Sequence, residues 1–133
     1  MGDDLVSIGK TALEGCVSLK NLLIPQHLNM VEETFETCSS LELFEVHPDN
    51  EHFSSLDGVL FDKSMQSLIR YPRSNKGEKA QSGSQNKKRL LTDYNIPEGV
   101  KKISTFAFSR SFGLTNIVIP STVNKIEPYA FYM

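Results

Sequence analysis

No run of about 18 apolar residues occurs in this chain, so no membrane-spanning helix is expected. The first residues, Met1-Gly2-Asp3-Asp4-Leu5, are acidic and lead straight into patterned sequence, so no signal peptide is expected. Gly2 lacks the following Ser or Thr of a myristoylation site. No Asn-x-Ser/Thr sequon is present. A Gly-rich phosphate loop, a His-Glu-x-x-His helix and a G-x-S-x-G elbow are all missing. The familiar phosphate-binding, zinc-hydrolase and serine-hydrolase signatures are therefore excluded, and no catalytic constellation or cofactor is expected. Only two cysteines occur, Cys16 and Cys38.

What remains is an ordinary apolar and charged composition, with 39% hydrophobic and 23% charged residues in 133 positions, enough for one domain. The net charge of −2 hides an uneven spread. Residues 1–66 carry 12 acidic and 3 basic side chains, and residues 67–133 carry 4 acidic and 11 basic. Stacked along one axis, these halves make an acidic end and a basic end, which would attract each other head to tail.

The chain repeats itself. Prolines stand at Pro25, Pro48, Pro72, Pro97 and Pro120, in steps of 23, 24, 25 and 23 residues. Before each lies an apolar-variable-apolar triplet, such as Leu22-Leu23-Ile24 and Ile117-Val118-Ile119. That alternation describes a short strand with one buried face. Proline ends the strand because it has no N–H to give. After the proline, Val100, Ile103, Ala107 and Phe108 recur as Val123, Ile126, Ala130 and Phe131, and earlier as Leu5, Ile8, Ala12 and Leu13. One turn of this length cannot bury its own apolar face, so turns must stack and cover one another. The spacing predicts about five turns, a short parallel sheet on the concave side and short helical turns opposite. Phe35, Phe108 and Phe131, with Leu13, are expected to stack as a ladder inside.

The pattern I-x-I-P-x-x-V-x-x-I-x-x-x-A-F-x-x-C-x-x-L resembles the BspA-like leucine-rich repeat family. Ile117, Ile119, Pro120, Val123, Ile126, Ala130 and Phe131 match it, and Cys16 and Cys38 fall on its cysteine position. The segment Phe53–Pro72 resembles an irregular turn of that family, and the resemblance leaves out only about residues 74–89. It implies a leucine-rich repeat solenoid, and a surface antigen with an adhesion or host-interaction role, placed at the cell surface or secreted.

Two stretches depart from the repeat. Asp57-Gly58, then Val59-Leu60-Phe61, then Leu68-Ile69-Arg70-Tyr71, signal a hairpin. The proline period places Ile69 and Tyr71 in the main sheet, with Val59–Phe61 as an added strand; the alternative is a hairpin wholly outside the sheet. Residues 74–89 are polar and rich in Gly and Ser, and read as a flexible loop inserted in the single domain 1–133. The repeat then runs to Phe131 without a polar cap, which predicts a fragment of a longer array or an end that pairs with another molecule.

Candidate chemistry is sparse. Cys16 and Cys38, one turn apart, are within disulfide range in principle, but as shared motif positions they read as buried thiols. His47, Asp49, Glu51 and His52 crowd together, yet their spacing matches no metal site. Lys87-Lys88-Arg89 lacks the aromatic interleaving that single-stranded nucleic acid would need. The expected working surface is the outward face of the strands. Its middle row is Leu23, Glu45, Arg70, Asn95 and Val118, flanked by Asn21, Leu43, Leu68, Asp93 and Asn116. Such a face suits a protein partner, and the uncapped ends suit self-association as a structural or scaffold fragment.

Overall fold

A computed structural model describes residues 4–31, 35–75 and 92–132. The repeat is realised as a solenoid. In the first row, β2 (Asn21–Ile24) pairs in parallel with β4 (Leu43–Val46), and β8 (Asp93–Asn95) with β10 (Asn116–Val118). The register is set by the repeat: Leu22 lies opposite Phe44, and Tyr94 opposite Ile117. A second row follows the prolines. There β1 (Ser7–Ile8) pairs with β3 (Met30–Val31), and β9 (Lys102–Ile103) with β11 (Lys125–Ile126).

The side expected to be helical consists of single turns, and no helix occurs among the described residues. Ala12, Ala107 and Ala130 donate their N–H groups to Gly9, Ser104 and Glu127, three residues back. The turns stop there because Gly15, Phe106, Arg110 and Tyr129 have left-handed backbones, which a right-handed helix cannot continue. Ala107 and Ala130 are buried at these corners, as close stacking requires. Inside, Phe108 stacks on Phe131 with ring centroids 5.2 Å apart. Phe35 does not join this ladder; it meets Phe44 edge-on. Tyr71 takes the next rung, 5.3 Å from Phe108.

The irregular turn is where sequence and structure part. β5 (Phe53–Leu56), β6 (Val59–Asp62) and β7 (Ser67–Arg70) form an antiparallel meander. β7 then pairs in parallel with β9, Leu68 opposite Ile103, giving a sheet in the order β11-β9-β7-β6-β5. Ile69 and Tyr71 therefore belong to the second row and its corner, not to the main sheet. Among the described residues the first row holds four strands. The cause is β6, whose Val59, Leu60 and Phe61 are apolar on both faces and need cover on both. Leu60 packs into the core of the first half with Leu22, Phe44 and Phe53. Val59 and Phe61 pack into the core of the second half with Leu68, Tyr71 and Val100. Pro72 keeps the proline period but follows a corner residue: the Tyr71 N–H donates to the Ala107 carbonyl at 2.7 Å.

The hairpin turn Asp57-Gly58 lies against the vacated place in the first row. The Phe44 N–H donates to the Gly58 carbonyl at 2.9 Å. Gly58 has φ +79°, and a Cβ there would stand 2.9 Å from the Cβ of Leu43, so only glycine fits. From residue 76 onward, the inserted loop expected at 74–89 lies outside the described residues.

Candidate functional site

Seven of the ten residues expected on the outward strand face are exposed: Asn21, Leu23, Glu45, Asp93, Asn95, Asn116 and Val118. Leu23 and Val118 are 55% and 58% exposed, large apolar side chains with nothing packed over them. Between these ends the face carries the carboxylates of Glu45, Asp57 and Asp93. The Asn116 amide donates to Asp93 at 2.8 Å, fixing one carboxylate across the β8–β10 pair.

Leu43, Leu68 and Arg70 are corrections. Leu68, opposite Ile103 on the displaced β7, is buried in the core of the second half. Leu43 is covered by Gly58 of the hairpin and is buried. Arg70 is only 5% exposed, because the displaced β7 turns its guanidinium toward the corner row. Its Nη1 donates to Glu36 Oε1 at 2.7 Å and to the Phe106 carbonyl. Glu36 Oε2 accepts from the Ser109 hydroxyl at 2.9 Å, and Arg73 donates to the Glu36 carbonyl. Burial lowers the Arg70 pKa, the Glu36 carboxylate opposes that effect, and the Arg73 charge adds to the lowering. This knot joins the second corner, the irregular turn and the next corner. Its members Glu36 and Ser109 gave no signal in the repeat pattern. Arg70 would have been legible only with β7 in its true register. The knot borders a cleft of about 430 Å³ that reaches Phe53, Lys102 and Glu127.

The crowded His47–His52 stretch has a structural use. Asn50, fully buried, donates its amide to the carbonyls of Pro25 and Leu28 at 2.8 and 2.9 Å. Its Oδ1 accepts from the N–H groups of His52 and Phe53 at 2.7 and 2.8 Å. His47 Nδ1 accepts from the Asp49 N–H. Among the described residues no three His, Cys, Asp or Glu side chains are placed to hold a metal ion.

Cys16 and Cys38 are free thiols. The Cys38 thiol donates to the Leu13 carbonyl at 3.7 Å. Burial raises its pKa above 9.0, Cys16 adds to the rise, and Arg70 and Arg73 oppose it. A raised pKa leaves less thiolate at mildly alkaline pH. Iodoacetamide is therefore expected to label half-buried Cys16 in the native protein and to spare Cys38 until urea unfolds it. Mass spectrometry of the labelled peptides would refute this if both thiols reacted at one rate.

Parallel strand pairs one repeat apart, proline-ended and stacked over an Ala-Phe corner, define a leucine-rich repeat solenoid. The family profile described as the BspA type leucine rich repeat region matches residues 1–79. The chain belongs to that family. Residues 92–132 lie beyond the matched span but carry the same strand, proline and corner geometry. Among solved structures, the chain is similar to a leucine-rich repeat protein from Eubacterium ventriosum, with 26% identity and a TM-score of 0.70, over 86% of this chain and 27% of that one. It is similar to the pneumococcal vaccine antigen PcpA, with 33% identity and a TM-score of 0.59, over 86% of this chain and 31% of that one. A leucine rich cell surface protein from Faecalibacterium prausnitzii shares the fold at 23% identity and a TM-score of 0.52, over 82% and 29% of the two chains. The chain thus spans less than a third of each of these proteins. No curated protein matches it.

Proposed function

We propose that this chain is a non-catalytic protein-binding module of a surface-associated protein, and that it works through the exposed strand face. The observation that carries this is the pairing on one face of unpacked Leu23 and Val118 with the carboxylates of Glu45, Asp57 and Asp93 between them. Strand side chains free of both core and neighbours are available to a partner at little conformational cost. The acidic centre selects a segment with basic residues in the middle and apolar residues at its ends. Surface placement is supported by the similarity to the pneumococcal vaccine antigen PcpA.

The test is selection from a randomised peptide display library on the intact chain. Enriched peptides are expected to be basic at the centre. The triple variant Leu23→Ser, Glu45→Lys, Asn95→Ala is expected to bind them at least about tenfold more weakly, with its melting temperature close to that of the parent. Peptides that bind the variant as tightly as the parent would reject this surface.

A second reading, self-association as a structural or scaffold element, is favoured by the division of charge, −9 in residues 1–66 against +7 in residues 67–133. Light scattering over a concentration series should then show oligomers at low salt that dissociate at about 1 M salt, where screening acts within about 3 Å. A monomer under both conditions would eliminate it.

A further inference from the structure

We propose that the corner row carries a binding site for a neutral carbohydrate chain, separate from the strand face, with Phe106, Tyr129 and Tyr132 as its stacking platform. Phe106 and Tyr129 occupy the same corner position one repeat apart. Their rings stack with centroids 5.5 Å apart and planes inclined by 12°. Tyr132 stands edge-on to both, at 88° and 83°. Tyr129 and Tyr132 are 64% and 47% exposed.

The backbone here is the left-handed residue that ends each corner turn. Phe106 has φ +59° and Tyr129 φ +61°, in the left-handed region where glycine or asparagine is at ease and an aromatic residue is strained. The chain nevertheless sets an aromatic ring at this position in two successive turns.

The rings line a cleft of about 520 Å³ that also takes in Lys10 and Glu14 of the first corner, Glu36 of the second and Arg110 of the third. It opens where the irregular turn, drawn inward by Arg70 and Tyr71, interrupts the row of corners. Lys10 and Arg110 stand there with Glu14, while the Glu36 carboxylate is already held by Arg70 and Ser109, so the cleft carries charges of both signs. An ionic ligand of either sign would meet repulsion as well as attraction. A pyranose ring fits this chemistry. Its C–H face lies on aromatic carbon, and its hydroxyls both donate and accept hydrogen bonds, as the mixed polar walls require.

The probes are immobilised cello-, laminari- and chito-oligosaccharides and mannan, with heparin and the selected peptides as competitors. The intact chain is expected to bind at least one neutral probe, and Tyr132→Ala to weaken that binding by about tenfold, the loss of one exposed anchor. Tyr129→Gly provides a second arm, because glycine relieves the left-handed backbone while removing the ring. It should melt no lower than Tyr129→Ala yet lose binding as fully. The strand-face triple variant should bind the glycan as the parent does, so failure of this site and failure of the strand face remain distinguishable. Binding confined to heparin, displacement by the peptides, no binding of any neutral probe at millimolar concentration, or binding unchanged in both tyrosine variants would each overturn the proposal.

Discussion

Replacing Glu36 with alanine is expected to destabilise the fold by about 3 kcal/mol, the low end for removing one partner from a buried ion pair. The geometry explains why the loss is large. Arg70 is 5% exposed, and its Nη1 is held by Glu36 at 2.7 Å and by the Phe106 carbonyl. Its Nη2 is buried with no hydrogen-bond partner among the described residues. Without the carboxylate, the Arg70 cation would face only a carbonyl dipole and the like charge of Arg73, which already lowers its pKa. Ser109 would lose its acceptor at 2.9 Å as well. Removing the other partner should cost less. In Arg70→Met the long stem still packs, and Glu36, whose side chain is 26% exposed, can turn its charge to water. A loss of about 1–2 kcal/mol is expected, largely from the bonds given up. The double variant should fall short of the sum of the two, because the second change removes the charge that the first strands. Urea unfolding of the four proteins gives the cycle directly. A loss below about 1 kcal/mol for Glu36→Ala would place this knot with ordinary surface pairs.

The knot also marks the boundary of what the sequence made legible. The regular turns were written in it plainly, because Leu22, Ile24, Val100, Ile103, Ala107 and Phe108 are single-purpose apolar positions, all buried. Their spacing fixes strand, second strand and corner without reference to distant chain. The third turn was not legible. There the proline period and the alternation at Ile69 and Tyr71 both point to the main sheet, while the three apolar residues of β6 demand cover on two sides. Burial of Val59, Leu60 and Phe61 outweighed the local pattern, and β7 shifted to the second row. That single shift moved Arg70 from the outward face to the interior and brought the hairpin turn down on Leu43. The rest of the outward row survived because the β2–β4 and β8–β10 pairs obey the repeat. The aromatic corner was hidden for another reason. Phe106, Tyr129 and Tyr132 fall on variable positions of the repeat, and only the observed backbone sign and ring geometry group them.

Asn50 shows how one polar side chain can stand in for missing backbone partners, and its loss should cost as much as that of Glu36. At the end of β4 the chain leaves the regular turn, so the Leu28 carbonyl and the N–H groups of His52 and Phe53 find no strand partner, and the Pro25 carbonyl has from the backbone the Leu28 N–H at 3.3 Å. Asn50 satisfies all four from a fully buried position. Asn50→Ala would strip these groups at once, with an expected loss of about 3–4 kcal/mol after partial repair by water. Asn50→Asp separates the two halves of this role. The carboxylate still accepts from His52 and Phe53, but its other oxygen meets two carbonyl oxygens in place of giving them protons. Burial and those carbonyls must raise the pKa of the new Asp above its ordinary value of about 3.9. The folded state then prefers the protonated form, while the unfolded chain ionises freely. Stability is therefore retained below the ordinary value and lost as pH rises through the raised one. Thermal melts should show Asn50→Asp far below the parent at neutral pH, with part of the gap closed near about pH 4, where the protonated acid can donate to one carbonyl. Asn50→Ala should show the same deficit at both. A gap for Asn50→Asp that does not narrow on acidification would mean that the two carbonyls do not depend on this side chain.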